Sequence, residues 1–412
     1  MPDEQYLSPN STMTSRERVL KALRHEEPDR IPIDFGGMAS TGIMAISYAR
    51  LKEHLGITAG QLRVFDIGQQ LAEIEVEILT RFGVDVISLE NSLGEEQPGL
   101  WKPWHLPNGT ACQVPAGLDL RPDEDNGGWL IWENGISSQR MSSTSLYFTQ
   151  IFHPLATLTK PEELQAVPRP VISDEALQFL EMRAKFLYEN TDFAIMANFG
   201  GSIHEIGQNL RGWSQFMMDL ARGDAFTEDL IAGIVETQLA NLSLYLEAVG
   251  DYVQIIQFGD DLGTQDRPQM SRKMYQKFLK PGHTKLYQYV HQNSDCAVFL
   301  HSCGSIYPLI PDLIEAGVDI LNPVQTSAKN MDPTQLKAEF GDQITFWGGG
   351  CDTQQVLPTA SPDEIQQHVR DRIEIFAPGG GFVFNQIHNI QANIPPENII
   401  AMFEAAREFR YS

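Results

Sequence analysis

Short apolar runs recur along the chain with helix-like stretches between them. The runs fall near residues 31–35, 84–88, 193–198, 252–258, 296–301, 318–322, 344–348 and 382–385. Their length and apolar character predict buried parallel strands. Between most of them lie amphipathic patterns, such as Pro311 to Gly317 and Pro362 to Ile375, that predict helices. Alternating strand and helix imply parallel βαβ units, and eight such units fit a closed (β/α)8 barrel better than an open sheet. Any one short run is ambiguous, so the rhythm carries the prediction. Ahead of the first run, Thr14 to Glu17 has the form of a capping box, with Val19, Leu20 and Leu23 following at helical spacing. Pro28 ends that helix, and Gly36-Gly37 closes the first strand.

Residues 101–150 break the rhythm. Thr110 to Val114 and Trp129 to Trp132 alternate like hairpin strands, and Asn126-Gly127-Gly128 and Asn134-Gly135 are hairpin-turn signals. The expectation is an antiparallel insertion between the second and third barrel strands, capping or flanking the barrel mouth. The whole chain, 1–412, then reads as one elaborated barrel domain, a size that insertions allow.

An apolar fraction of 42% and a charged fraction of 20% suit a globular protein with a sizeable core. The net charge of −24 argues against nucleic acid, because phosphate binding needs clustered Lys and Arg. No run of about 18 apolar residues predicts a membrane span, and the first twenty residues lack the apolar core of a signal peptide. Four cysteines are too few for a disulfide scaffold. The expected compartment is cytoplasmic.

Barrel enzymes place their reactive groups just past the C-terminal ends of the strands. One strand ends in His301-Ser302-Cys303-Gly304. Residues i and i+2 of a strand share a face, so His301 and Cys303 can reach one metal ion, with Gly304 letting the backbone turn close by. The bland alternative is a capping His and a small buried Cys. Two further strand ends offer a third ligand, Cys351 after Gly348-Gly349-Gly350, and His388. Against these stand a tight turn and a hydrogen-bonded polar residue. Asp260 and Asp261 follow another strand and are candidates to orient substrate, hold a metal-bound His or act as a base, with turn capping as the alternative. Glu90 and Asn198 at earlier strand ends, and His204 with Glu205 in the loop after the third strand, are weaker candidates for substrate contact. Cys296 reads as core and Cys112 as part of the insertion. Gly379-Gly380-Gly381 precedes its strand, at the wrong barrel end for catalysis, and no phosphate-loop pattern is present.

The pattern Arg16-Glu17-Arg18-Val19-Leu20, then Pro28-Asp29-Arg30-Ile31-Pro32, His301-Ser302-Cys303-Gly304, Gly348 to Asp352 and Pro396-Glu397-Asn398-Ile399 resembles the uroporphyrinogen-decarboxylase superfamily over nearly the whole chain. It is most similar to that superfamily's corrinoid-dependent branch, the methylcobamide:coenzyme M-like methyltransferases. In that branch a His-x-Cys pair and a later Cys bind zinc, which activates a thiol as methyl acceptor. His301 and Cys303 match the pair. The position of the later Cys holds His388 here, so either His388 or Cys351 completes the site. The true decarboxylases resemble this chain less: they carry an arginine-rich segment after the first strand, where this chain has Phe35 to Gly42 without Arg.

The resemblance implies a zinc-dependent methyltransferase that moves a methyl group between a corrinoid protein and a thiol or other small acceptor. From their position, Asp260 or Asp261 is expected to hydrogen-bond His301 and fix its tautomer. No D-x-H-x-x-G pattern is present, so cobalamin is expected on a separate corrinoid protein, which the acidic surface can help dock. Two other classes stay open. One is a metal-independent decarboxylase or lyase that uses Asp260 and His388 for proton transfer. The other is a non-catalytic ligand-binding barrel. The oligomeric state is open, a homodimer included.

Overall fold

The computed structural model describes residues 13–95 and 99–411; the polar stretch through residue 12 lies outside them. Seven strands form one parallel sheet: β1 (Val86–Ser88), β2 (Ala194–Gly200), β3 (Ile255–Gly259), β4 (Ala297–His301), β5 (Ile320–Asn322), β6 (Thr345–Trp347) and β7 (Phe382–Val383). They are hydrogen-bonded in chain order from β1 to β7. The first expected run, 31–35, is not a full strand. Only Ile33 and Asp34 pair, Ile33 with Phe384 beyond β7 and Asp34 with Val86 of β1, and these parallel bridges link the two outer strands of the curled sheet. Pro32 has no N–H to donate, and Gly36 at φ +89° turns the chain away, so the pairing is short on both sides. The result is a TIM-like α/β fold.

Helix α1 (Ser15–Leu23) starts at Thr14, whose hydroxyl accepts from Glu17 N while the Glu17 carboxylate accepts from Thr14 N, a complete capping box. It packs against β1, β2 and β7 at the N-terminal end of the sheet. There Arg18 bonds both Asp29 and the fully buried Asp85, and Arg30 bonds Asp85 as well. Asp85 also accepts from Ser15 Oγ and Ile33 N, so the buried carboxylate is fully partnered. Gly380 belongs to this end too, since a Cβ there would lie 2.6 Å from the Glu26 backbone.

Helix α2 (His204–Arg211) follows β2, α3 (Ile310–Ala316) follows β4 and ends on Gly317 at φ +111°, and α4 (Pro362–Phe376) follows β6 behind a capping box at Ser361. The interval 101–150 is antiparallel. Trp101–His105 pairs with Ala111–Pro115, and a four-stranded sheet runs from Asp119–Pro122 through Trp129–Glu133 and Ile136–Met141 to Thr149–Gln150. Asn134 at φ +50° and Gly135 at φ +79° form the turn between its second and third strands. Among the described residues no helix is long and apolar enough to cross a membrane.

Candidate metal centre

Period two along each strand decides what faces the sheet's interior. Val86, Met196, Ile255, Phe299, Ile320, Trp347 and Val383 form a small buried cluster there, with Val19 of α1. Two residues further along the same face come Ser88, Asn198, Gln257, His301 and Asn322. These polar groups, and the loops just past them, form the mouth at the C-terminal strand ends.

His301 ends β4, and its Nδ1 lies 2.6 Å from Asn322 Oδ1 at the end of β5. Asn322 Nδ2 donates to the Trp347 carbonyl at 2.9 Å, so the amide presents its oxygen to His301. Nδ1 of His301 therefore carries the proton, and Nε2 offers its lone pair to the mouth. Around Nε2 lie Cys303 Sγ at 3.3 Å, Ser40 Oγ at 3.3 Å and Asp261 Oδ1 at 3.7 Å. His388, in the loop after β7, brings its ring centroid to 5.9 Å from that of His301. One ligand atom from each of His301, Cys303 and His388 lies within 4.8 Å of the other two.

Local backbone chemistry holds Cys303 in place. Its N–H donates to Asp261 Oδ1 at 2.8 Å. Gly304 follows at φ +92°, and a Cβ there would sit 2.6 Å from the Gly263 backbone, so only glycine lets the two loops pass. Burial pushes the Cys303 thiol well up, and the carboxylates of Asp261 and Glu205 push it further. Burial and the neighbouring His301 hold His388 down at about 4, so its imidazole is neutral at pH 7 and free to ligate.

This donor set fits a metal ion. Two imidazole nitrogens and one thiol sulfur suit a borderline-soft divalent ion such as zinc. Bond lengths of about 2.0–2.3 Å in a tetrahedral site put ligand atoms roughly 3.3–3.8 Å apart, and the His301–Cys303 pair already stands at 3.3 Å. Three protein ligands leave one position open, the arrangement of catalytic sites.

The other sequence candidates have distinct surroundings. Cys351 is fully buried in the layer between strands and helices, outside the cluster of ligand atoms, and burial drives its thiol far up. Asp260 is buried and turned outward. It accepts from the backbone N–H groups of Ile203, His204 and Glu205 at 2.9–3.1 Å and faces His283 Nε2 at 2.9 Å. Burial raises this carboxyl, but the His283 bond and the charges of His283 and His204 outweigh it and hold it below its ordinary value. Asp261, by contrast, stands in the mouth beside Cys303 and His301.

Glu90 is exposed and accepts from Ser88 Oγ at 2.5 Å and Asn198 Nδ2 at 3.1 Å. His204 is fully buried at the start of α2, bonded through Nε2 to Gln269 and Gln208, away from the metal ligands. Cys296 is core, with its thiol donating to the Val253 carbonyl at 3.3 Å, and Cys112 is buried in the insertion. Ser40 and Asn322 are the functional neighbours that the sequence left unmarked. The antiparallel region reaches the same end, where Tyr147 Oη donates to Gln391 Oε1 at 2.6 Å.

A family profile described as uroporphyrinogen decarboxylase (URO-D) matches residues 154–409, well over half of the chain, and the chain belongs to that family. It is 24% identical over 311 residues to the uroporphyrinogen decarboxylase of Pseudoalteromonas atlantica, a match spanning 73% of this chain and 82% of that protein. Over 97 residues it is 32% identical to the uroporphyrinogen decarboxylase of Methylococcus capsulatus, covering 24% of this chain and 26% of that one. Among solved structures it is similar to a methyltransferase from Methanosarcina mazei, with a TM-score of 0.60 and 17% identity over 96% of this chain and 99% of that chain. At that identity the likeness is one of fold.

Proposed function

We propose that the chain is a zinc-dependent methyltransferase that moves a methyl group between a corrinoid protein and a thiol or other small acceptor. The observation that carries this reading is the convergence of His301, Cys303 and His388 at the sheet's mouth, with ligand atoms within 4.8 Å of one another. Those three residues would hold the ion, His388 taking the third place. Zinc bound there with an open position supplies Lewis acidity that favours the ionised form of a substrate thiol near neutral pH.

The chain's own residues prepare that position. Asn322 fixes the His301 tautomer so that Nε2 faces the ligand position. Asp261 anchors the Cys303 backbone and sets a negative charge beside it. Trp347, fully buried below, closes the floor against water. The chain has no corrinoid-binding D-x-H-x-x-G pattern, so the corrinoid arrives on a separate protein. The fold shared with a protein named a methyltransferase supports the reading.

A metal-independent decarboxylase is the second reading, favoured by the names of the sequence relatives. The mouth weighs against a substrate with many carboxylates, because Asp261, Glu90 and Glu205 stand there where such a substrate needs arginines. The test is methyl transfer from methylcobalamin to a panel of small thiols, followed by the cobalamin absorbance. Transfer by the zinc-loaded chain, reduced at least about 100-fold in Cys303→Ala, is the expected result. Release of CO2 from small acids by metal-stripped protein, with no methyl transfer, would replace this reading with the second.

A further inference from the structure

We infer that the chain carries a second binding site, apart from the metal centre, for a small neutral apolar molecule with an aromatic ring or a branched chain. A pocket of about 190 Å³ lies between the segment 155–170, helix α2 and the long helix Ala225–Val249. Leu164 and Val167 line it from the segment, Ile206 and Leu210 from α2, and Leu230 and Ile234 from the long helix. The segment is pinned to the helices at both ends and spans the gap like a strap. Leu155 N donates to Leu210 O at 2.9 Å and Arg211 Nη1 to Leu158 O at 2.8 Å; at the far end Asn241 Nδ2 donates to Pro170 O at 3.0 Å. Between these pins the backbone bonds are local, such as Glu163 N to Lys160 O and Val167 N to Leu164 O. Pro161, Pro168 and Pro170 fix φ along the strap and stiffen it. The pocket is therefore formed in advance by its walls, as ligand sites commonly are.

Gly233 is a second, independent observation. It sits inside the long helix, where glycine is the least favourable residue after proline. Packing does not demand it, because a Cβ there would meet only the Arg169 guanidinium within 4 Å, at 3.7 Å. What the missing side chain does is widen the pocket. One turn on, Thr237 donates its hydroxyl hydrogen to Gly233 O at 2.8 Å and so spends that donor within the helix. The rim is charged: Arg169 bonds Glu236 at 2.5 Å, and Asp229 also borders the opening. The apolar surface thus faces inward, which suits a free molecule and not a flat protein partner. An apolar cavity of about 150 Å³ is enough to hold benzene, so this pocket takes a ring with a small substituent. A charged group among these walls would give up its hydration for no partner.

Toluene, benzoate and benzylammonium are alike in size and differ in charge. Their binding to the full chain can be followed through the methyl NMR signals of isoleucine, leucine and valine, which also locate the ligand. The expected result is saturable binding of toluene with a Kd of roughly 1 mM or tighter. Its shifts should centre on Ile206, Leu210, Leu230 and Ile234, and both ions should bind at least about tenfold more weakly. Gly233→Leu fills the space and should weaken toluene binding at least about tenfold. Gly233→Ala, a smaller filler that helix propensity favours, should fold in any case and weaken binding by a lesser factor. Toluene that shifts none of those methyl groups, an ion that binds as tightly as toluene, or a folded Gly233 variant that binds toluene as the wild type does overturns the inference.

Discussion

Asn322 determines which nitrogen of His301 carries the proton, and it does so because its own amide is committed to the Trp347 carbonyl. Groups of this kind typically account for about 10–100-fold in metal affinity. Asn322→Ala is therefore expected to weaken zinc binding by about that factor, measured by competition with a chelator, while unfolding remains cooperative. Unchanged affinity would mean that His301 needs no partner. Asp34 shows a different effect of burial. Burial raises its carboxyl to about 6, against the bonds from Trp347, Gly37 and Thr41 that lower it. Between about pH 4 and pH 6 the folded protein keeps a proton that the unfolded chain has released, so stability is full below that window and is lost as pH rises through it. Asp34→Asn removes this loss. Relative to that variant, the wild type should lose ~2–3 kcal/mol of unfolding free energy between pH 4 and pH 7.5. Urea titrations at several pH values check it, and parallel pH curves would contradict it.

At the scale of elements, Asp260 is a helix anchor. It collects three successive backbone N–H groups at the start of α2 and a ring nitrogen of His283, and so fixes the turn that carries Glu205. Asp260→Ala strands those donors in the interior and is expected to cost ~3–5 kcal/mol in urea unfolding, with faster amide exchange at residues 203–205. A cost below ~1 kcal/mol would show the anchor to be dispensable. The two adjacent aspartates look alike in sequence, but strand parity separates them. Ile255 faces the interior, so Gln257, Gly259 and Asp261 follow it inward and Asp260 points out. The same parity made His301 and Cys303 legible as a pair, while Asn198 and Glu90 were legible only as residues at strand ends. It fails past glycines at positive φ, which reset the chain direction. Cys351 follows Gly348 and Gly349, and His204 follows Gly200 and Gly201, so their burial was not readable. Asn322 was hidden at the end of an apolar run, and Ser40 in a loop with no period. Pro32 and Gly36 reduced the first strand to two paired residues, a local effect that the rhythm of the other strands concealed.

The whole molecule divides its labour between the two ends of the sheet. At one end α1 and the Arg18, Arg30 and Asp85 network fill the floor. The Arg16-to-Pro32 part of the sequence resemblance is mostly that floor, outside the residues 154–409 that match the family profile, so it reports the fold and not the chemistry. The other end stays open, and the candidate chemistry gathers there on groups drawn from β4, β5 and the loop after β7. Family membership accordingly leaves the reaction to be decided by the mouth. The most direct test is the zinc content of purified protein, wild type beside Cys303→Ala, His388→Ala and Cys351→Ala. The account predicts about one zinc per chain in the wild type and in Cys351→Ala, and loss of the metal in Cys303→Ala and His388→Ala. A wild type that binds no zinc even when it is supplied, or a Cys303→Ala variant that keeps it, would contradict the account.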